Sequence, residues 1–80
     1  MKKVSVVILN WNGRKLLEEF LPSVIRYTTH PDIEIVVADN GSTDDSLIFL
    51  QAKYPEVKRI VLSENYGFAD GYNRALREID

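Results

Sequence analysis

Three short apolar runs, rich in β-branched residues, constrain the fold more than any other feature of the chain. They are KVSVVIL, IEIVVA and VKRIVL, and they begin at Lys3, Ile33 and Val57. Apolar residues at helical spacing follow each run, so the predicted order of elements is β-α-β-α-β-α. This order predicts an α/β fold with a three-stranded, parallel, Rossmann-like sheet and right-handed crossovers.

The first helix is predicted from Arg14 to about Tyr27, and it contains a proline, Pro22. Proline removes a backbone hydrogen bond and clashes with the preceding turn, at a cost of about 3 kcal/mol within a regular helix. We therefore expect a kink or a break over residues 18–21.

The second and third helices have recognisable starts. Ser42 or Thr43 is predicted to begin the second helix, because Ser42 and Asp45 are spaced like a capping box and acids suit the positive end of a helix dipole. The third helix is predicted to begin near Gly67 or Phe68.

The runs are apolar on both faces, which is typical of strands that are covered on both sides. We expect the strand order 3-2-1, with the first two helices on one face, the third on part of the other, and the first strand as an exposed edge. Exposed edges pair readily with another strand. Residues 1–80 are therefore predicted to be the amino-terminal part of a larger α/β domain, able to self-associate through the first strand.

Composition disfavours several classes of protein. The net charge is −2, which argues against a nucleic-acid partner. The chain has no cysteine, so disulfides and thiolate metal sites are excluded. No apolar run approaches the roughly 20 residues that cross a bilayer, and the start of the chain lacks a signal-peptide cleavage site. The predicted location is the cytoplasm, with access to the inner face of the membrane in the full-length protein.

Ligands of open parallel sheets bind at the carboxyl ends of the strands, where the three βα loops meet. The loops are NWNG from Asn10, DNGSTDDS from Asp39 and SENYGF from Ser63. None contains the glycine-rich phosphate loop of dinucleotide-binding or P-loop proteins. The small and acidic residues from Asn40 onward are sufficiently explained by a turn and a helix cap.

Asp39 and Trp11 are the residues that suggest a ligand. Asp39 ends its strand ahead of the turn, where neither a turn nor a cap requires a carboxylate, and an acid at this place in dinucleotide folds binds a ribose. Trp11 is explained equally well as a loop anchor or as a stacking platform for a base. If both face one hollow, they suit a pyrimidine, whose N3–H the carboxylate accepts while the ring lies on the indole.

Three blocks of the chain resemble the family 2 glycosyltransferases of the GT-A fold. VSVVILNWNG, IEIVVADNGSTDDS and ENYGFADGYNRAL are similar, in order and spacing, to the first strand and loop, the second loop and the third loop of that family. The likeness covers nearly the whole chain and is nearest to bacterial enzymes that transfer rhamnose or related sugars to cell-surface polysaccharides. It implies the first, nucleotide-binding part of an inverting glycosyltransferase.

The resemblance also implies roles for particular residues. Trp11 would lie against the base, and Asp39 would accept a hydrogen bond from the base or its ribose. The loop residues expected to contact the nucleotide are Asn10, Trp11, Asn12, Asp39, Asn40, Asn65 and Gly67. Turn chemistry explains Asn65 and Gly67 equally well. The expected donor is a UDP or dTDP sugar, and the expected acceptor is a glycan.

The family's metal-binding D-x-D and its catalytic base follow a fourth strand, which would lie beyond Asp80. No catalytic or metal-binding residue is therefore assigned within the chain. A divalent metal, Mg²⁺ or Mn²⁺, is expected in the full-length enzyme, and the chain alone is predicted to be inactive. The alternative reading of the residues is a non-catalytic, flavodoxin-like regulatory or interaction domain, in which the acidic loop is only a cap.

Overall fold

A computed structural model describes residues 4–79 and contains the six predicted elements in the predicted order. Lys3, with which the first apolar run begins, lies outside the described residues. The elements are β1 Val4–Asn10, α1 Arg14–Tyr27, β2 Ile33–Asn40, α2 Ser46–Lys53, β3 Lys58–Leu62 and α3 Phe68–Glu78.

The sheet is parallel and has the order β1-β2-β3. β2 pairs with β1 from Val4 opposite Ile33 to Asn10 opposite Asp39, and with β3 along its second half. This finding corrects the predicted order 3-2-1, although β2 is the central strand in both. Strand order depends on which backbones pair across the sheet, and the periodicity of a sequence does not encode that pairing.

The two faces of the sheet are covered unequally. On one face, Leu17 and Leu21 of α1 and Phe49 and Leu50 of α2 pack with Val37 in one buried cluster. On the other face, Ala75 is the member that α3 contributes to the buried cluster around β2 and β3. The predicted placement of two helices on one face and one on the other is therefore confirmed.

β1 forms one edge of the sheet. Among residues 4–79 it is hydrogen-bonded to β2 on one side only, and Val4 is half exposed. Such an edge presents unpaired backbone N–H and C=O groups to its surroundings. Association through this edge remains a prediction.

The structure corrects two expectations about helices, a break in α1 and the start of α2. α1 continues through Pro22 as a single helix, so the predicted break is absent: Leu21 and Ile25, before and after the proline, both pack in the same apolar cluster and hold the helix there. A kink over residues 18–21 remains a prediction. α2 begins at Ser46 rather than at Ser42 or Thr43, because the Ser42 side chain bonds to the end of β2 instead of capping a helix. The predicted start of α3 at Phe68 is confirmed.

Candidate functional site

The last two residues of β2 face opposite sides of the sheet. Side chains alternate along a strand, so Asp39 lies on the side of α1 and α2 with Val37, and Asn40 lies on the side of α3 with Ala38. Each residue is the centre of a group of loop residues. We call these groups the Asp39 cluster, which comprises Asn10, Asn12, Asp39 and Ser42, and the Trp11 groove, which comprises Leu9, Trp11, Asn40, Asn65, Gly67 and Phe68.

The Asp39 cluster is closed. Asp39 is buried, with 1% of the residue exposed. Its Oδ1 accepts hydrogen bonds from Asn10 Nδ2 at 3.0 Å and from Ser42 Oγ at 2.7 Å, and its Oδ2 accepts one from the Ser42 backbone N–H at 2.9 Å. Asn10 and Asp39 reach each other because they are opposite partners in the register of β1 and β2. Both carboxylate oxygens therefore accept hydrogen bonds that hold the first and second loops together.

Asn12 extends this connection between the first and second loops. Its backbone N–H donates to Ser42 Oγ at 2.9 Å, and its Oδ1 accepts from the backbone N–H groups of Thr43 at 2.7 Å and Asp44 at 3.1 Å. Its φ angle of 50° is in the left-handed region, which asparagine tolerates better than most residues. Asn12 thus links the two loops through their backbones, a role that its sequence position alone did not reveal.

Asp44 serves the starts of two helices. Its Oδ1 accepts from the backbone N–H and hydroxyl of Ser46, the first residue of α2, and its Oδ2 accepts from the backbone N–H of Arg14, the first residue of α1. Burial tends to raise the pKa of the Asp44 carboxyl, but the hydrogen bonds from Ser46 and Arg14 outweigh it and lower that pKa below 3.8. The capping carboxylate is therefore Asp44 rather than the predicted Asp45.

The Trp11 groove is open. It encloses a volume of about 280 Å³ at the carboxyl end of the sheet. Trp11 is 53% exposed and Phe68 is 77% exposed, so two aromatic faces are available at its walls. The groove lies where open parallel sheets bind ligands, and its lining combines apolar surface with a few polar groups, as small-molecule sites do.

Two asparagine amides support the third loop beside this groove. Asn40 Oδ1 accepts from the Tyr66 backbone N–H at 3.0 Å, and Asn40 Nδ2 donates to Asn65 Oδ1 at 3.1 Å and to the Gly67 carbonyl at 3.0 Å. Asn65 Oδ1 also accepts from the Gly67 backbone N–H at 2.7 Å. α3 can approach Asn40 because position 71 is glycine, where a Cβ would lie 2.8 Å from Asn40 Nδ2.

Gly41 brings the second and third loops into direct contact. A Cβ on Gly41 would lie 2.4 Å from the backbone carbon of Glu64, and its φ angle is +76°. Glycine is therefore required here both for the backbone conformation and for the close approach. The sequence indicated a turn at this position but not the contact with the third loop.

The hollow that was predicted to be shared by Trp11 and Asp39 is not formed. The carboxylate is buried on the side of α1 and α2, whereas the indole lines a groove on the side of α3. Of the seven predicted contact residues, the groove contains Trp11, Asn40, Asn65 and Gly67. The sequence signal that was overlooked is the alternation of side chains along β2, which places Asp39 and Asn40 on opposite faces of the sheet. Contact of any of the seven with a nucleotide remains a prediction.

Arg74, a basic residue near the groove, is engaged within α3 and the third loop. Its guanidinium lies 3.7 Å from the centre of the Tyr66 ring, and its Nε donates to Asp70 Oδ2 at 3.1 Å. The hydrogen bond that Arg74 donates to Asp70 raises the pKa of Arg74 above its ordinary value. The side chain is thus held against the protein surface by these two contacts.

The described residues do not fit a divalent metal. Within residues 4–79 there is no group of three or more His, Asp or Glu side chains that could hold an ion. The neighbouring acids Asp44 and Asp45 have other partners, namely the helix starts for Asp44 and Arg14, at 3.9 Å, for Asp45. No step of the proposed chemistry is therefore assigned to a metal on this chain.

None of the helices within residues 4–79 is long and apolar enough to cross a membrane.

Nearly the whole chain is similar to known proteins. The sequence model described as "Glycosyl transferase family 2" matches residues 5–80. An uncharacterized glycosyltransferase of Nostoc is 38% identical over 74 residues, which are 89% of this chain and 23% of the relative. An N-acetylglucosaminyl-diphospho-decaprenol L-rhamnosyltransferase of Mycobacterium tuberculosis is 31% identical over 92% of this chain and 24% of its own length.

A solved structure is similar as well. A mannosyltransferase from Pyrobaculum calidifontis, in complex with GDP-Man and Mn²⁺, superposes with a TM-score of 0.75 at 27% identity, covering 98% of this chain and 24% of that chain. The chain thus spans about a quarter of the length of these proteins.

Proposed function

The chain belongs to glycosyl transferase family 2, and from that membership we propose that residues 1–80 supply the nucleotide-binding part of a glycosyltransferase domain. The intact enzyme would transfer a sugar from a nucleotide-diphosphate donor to a glycan or polysaccharide acceptor. The acceptor hydroxyl would attack the anomeric carbon directly, with inversion, while the bond from that carbon to the diphosphate oxygen breaks and the nucleoside diphosphate leaves. The base that receives the hydroxyl proton would lie in sequence beyond residue 80.

The observation that carries this proposal is the Trp11 groove. It offers a half-exposed indole, beside the amides of Asn40 and Asn65, at the carboxyl ends of the strands. A base that stacks on an aromatic side chain gains about 1–3 kcal/mol. A flat, polar-edged ring is therefore the chemical class of ligand that the groove suits best.

Three of the predicted residues lie outside the groove, and we propose an indirect role for them. They are Asn10, Asn12 and Asp39. Ser42 covers the Asp39 carboxylate by donating to both of its oxygens. A base or ribose that contacted Asp39 would have to replace Ser42 as the donor. Without such a displacement, the Asp39 cluster contributes by holding the first two loops, and hence Trp11, in position.

The nature of the donor and acceptor is also a proposal. A UDP or dTDP sugar is the donor that the sequence favours, although the similar mannosyltransferase structure contains GDP-Man, so all three nucleotides belong in the test. The similar rhamnosyltransferase has a lipid diphosphate in its name, which supports an acceptor of the cell envelope. Action in the cytoplasm, at the inner face of the membrane, is part of the same proposal.

Nucleotide binding can be measured through Trp11, the single tryptophan of the chain. We expect UDP, dTDP or GDP to change its fluorescence, with little effect of Mn²⁺, and the change to weaken in Phe68→Ala. Tyr27→Ala is the matched control, because Tyr27 is equally exposed, at 78%, but belongs to the carboxyl end of α1. The response should also weaken in Asp39→Ala, through loss of loop support.

A response to none of the three nucleotides at millimolar concentration, from chain shown to be folded by circular dichroism, would contradict the proposal. It would favour the second candidate, a non-catalytic regulatory or interaction domain. The closed Asp39 cluster is the observation that supports that candidate, since a cluster that only organises loops needs no ligand.

Two further parts of the proposal have their own tests. The chain alone is expected to transfer no sugar, and transfer measured with the purified chain would refute this. The exposed edge of β1 is proposed to pair with another strand, either from the rest of the domain or from a second copy. Sedimentation of the chain as a monomer at all concentrations would count against association through this edge.

A further inference from the structure

We propose that Asn65 selects the base of the nucleotide by donating a hydrogen bond from its Nδ2 to the carbonyl oxygen at position 4 of a pyrimidine or at position 6 of a purine. The groove would then favour uracil over cytosine, which carries an amino group in place of the O4 carbonyl, and guanine over adenine for the same reason at position 6. This inference rests on the proposed function and adds the residue that would distinguish one donor from another.

The orientation of the Asn65 amide follows from backbone groups. A backbone N–H can only donate, so the N–H of Gly67, at 2.7 Å, identifies the atom it reaches as Asn65 Oδ1. The Asn40 amide is oriented in the same way by the Tyr66 N–H, which places Asn40 Nδ2 against the same oxygen of Asn65. Both contacts use Oδ1, and Nδ2 is consequently the outward end of the Asn65 amide.

Asn65 Nδ2 retains its hydrogen-bonding capacity. Among residues 4–79, no hydrogen-bond partner is found for it, whereas Asn40 Nδ2 donates both of its protons within the protein. Asn65 is exposed and lies in the wall of the Trp11 groove. The indole of Trp11 also carries a donor and no acceptor. The side-chain polar groups that the groove can still offer to a ligand are thus weighted towards donors.

The free hydrogen-bond donors of the groove, Asn65 Nδ2 and the Trp11 indole N–H, favour the edge of a base that carries an acceptor. A carbonyl oxygen accepts from Nδ2, whereas an exocyclic amino group would place a donor against a donor and leave both unpaired. The aromatic walls supply stacking that is nearly the same for every base. The amide of Asn65 is therefore the feature of the groove that can discriminate between bases of the same ring size.

The test compares UDP with CDP, and GDP with ADP, on the wild-type chain and on Asn65→Asp. Wild type is expected to bind UDP about five- to tenfold more tightly than CDP, the ratio for one net hydrogen bond. Asn65→Asp keeps an oxygen for the Gly67 N–H and for Asn40 Nδ2, and replaces the outward donor with an acceptor. The preference should then shift towards CDP and ADP.

Asn73→Asp is the control variant, because Asn73 is an exposed residue of α3 outside the groove and its substitution adds the same negative charge. It should weaken all nucleotides equally and leave the UDP to CDP ratio unchanged. Equal binding of UDP and CDP by wild type, or an unchanged ratio in folded Asn65→Asp, would overturn the inference and leave the proposed function standing. Failure of every nucleotide to bind would overturn both.

Discussion

The Asp39 cluster and the Trp11 groove are centred on adjacent residues of β2, Asp39 and Asn40, yet the first is closed and the second is open to solvent. On the Asp39 side, both carboxylate oxygens accept hydrogen bonds from within the protein, and the residue is 1% exposed. On the Asn40 side, the amides support the third loop but leave an indole and an amide nitrogen exposed. The first side is satisfied by the chain itself, and the second keeps exposed aromatic and amide groups that we propose contact a ligand.

This difference implies a division of effects. A buried polar group that loses its partner costs about 1–3 kcal/mol of folding free energy, whereas an exposed group costs little until something binds it. Substitutions in the Asp39 cluster should therefore change stability first. Substitutions of the exposed aromatic residues of the Trp11 groove, Trp11 and Phe68, should change binding and leave the free energy of unfolding almost as it was.

The largest expected effect is at Gly41, where the two sides meet. Gly41→Ala places a Cβ 2.4 Å from the Glu64 backbone at a φ angle of +76°, so unfolding should become easier by at least about 3 kcal/mol in urea titrations. Gly67→Ala is the matched control: its φ angle is +81°, but its Cβ would meet nothing within 4 Å. If both variants lose the same stability, the close approach of the second and third loops is not important.

The next effect is at Asp39. Asp39→Asn keeps the shape of the side chain but sets an N–H₂ group against the donors of Asn10 or Ser42, so we expect a loss of about 2–3 kcal/mol in the free energy of unfolding. Asp45→Asn removes an exposed carboxylate that lies 3.9 Å from Arg14 and should change stability by less than about 0.5 kcal/mol. Equal and small losses would mean that the Asp39 cluster is not the closed structure described above.

Trp11 provides the opposite case. Trp11→Ala should leave the free energy of unfolding within about 0.5 kcal/mol of wild type, because the indole is half exposed. It should weaken nucleotide binding by about 1–3 kcal/mol, measured by calorimetry because the fluorescent reporter is lost. A stability loss as large as that of Asp39→Asn would show that the indole is a loop anchor, the other role that the sequence allowed.

The smallest effect concerns pH and Asp44. Its pKa is lowered in the folded chain, so its contribution to stability is present above the ordinary pKa of 3.8 and is lost as the pH falls through the folded value. Near neutral pH the free energy of unfolding of wild type, measured by urea titration, should exceed that of Asp44→Asn by less than about 1 kcal/mol, because the group is exposed to solvent. The difference between the two should shrink as the pH falls below 3.8 and through the lower folded pKa, and a difference that did not shrink over that range would contradict the capping role.

Much of the architecture could be predicted from local pattern. Alternation of β-branched runs with helical spacing indicated all six elements and the start of α3, because each depends on residues close together in the chain. The start of α2 could not be found in this way. Ser42 looks like a cap until Asp39 is seen to accept from its hydroxyl, and that contact depends on the turn that Gly41 makes.

The sequence by itself determined the class of fold, the family, and the loops in which a ligand would be held, since these depend on hydrophobic period and on short ordered motifs. Only the tertiary structure decided which polar residues are already satisfied. Asn10 and Asp39 are 29 positions apart and meet because β1 and β2 pair in one register, and Asn40 meets Asn65 because Gly41 and Gly71 permit close packing. Hydrogen-bonding capacity is used up by neighbours in space, which a linear sequence does not specify.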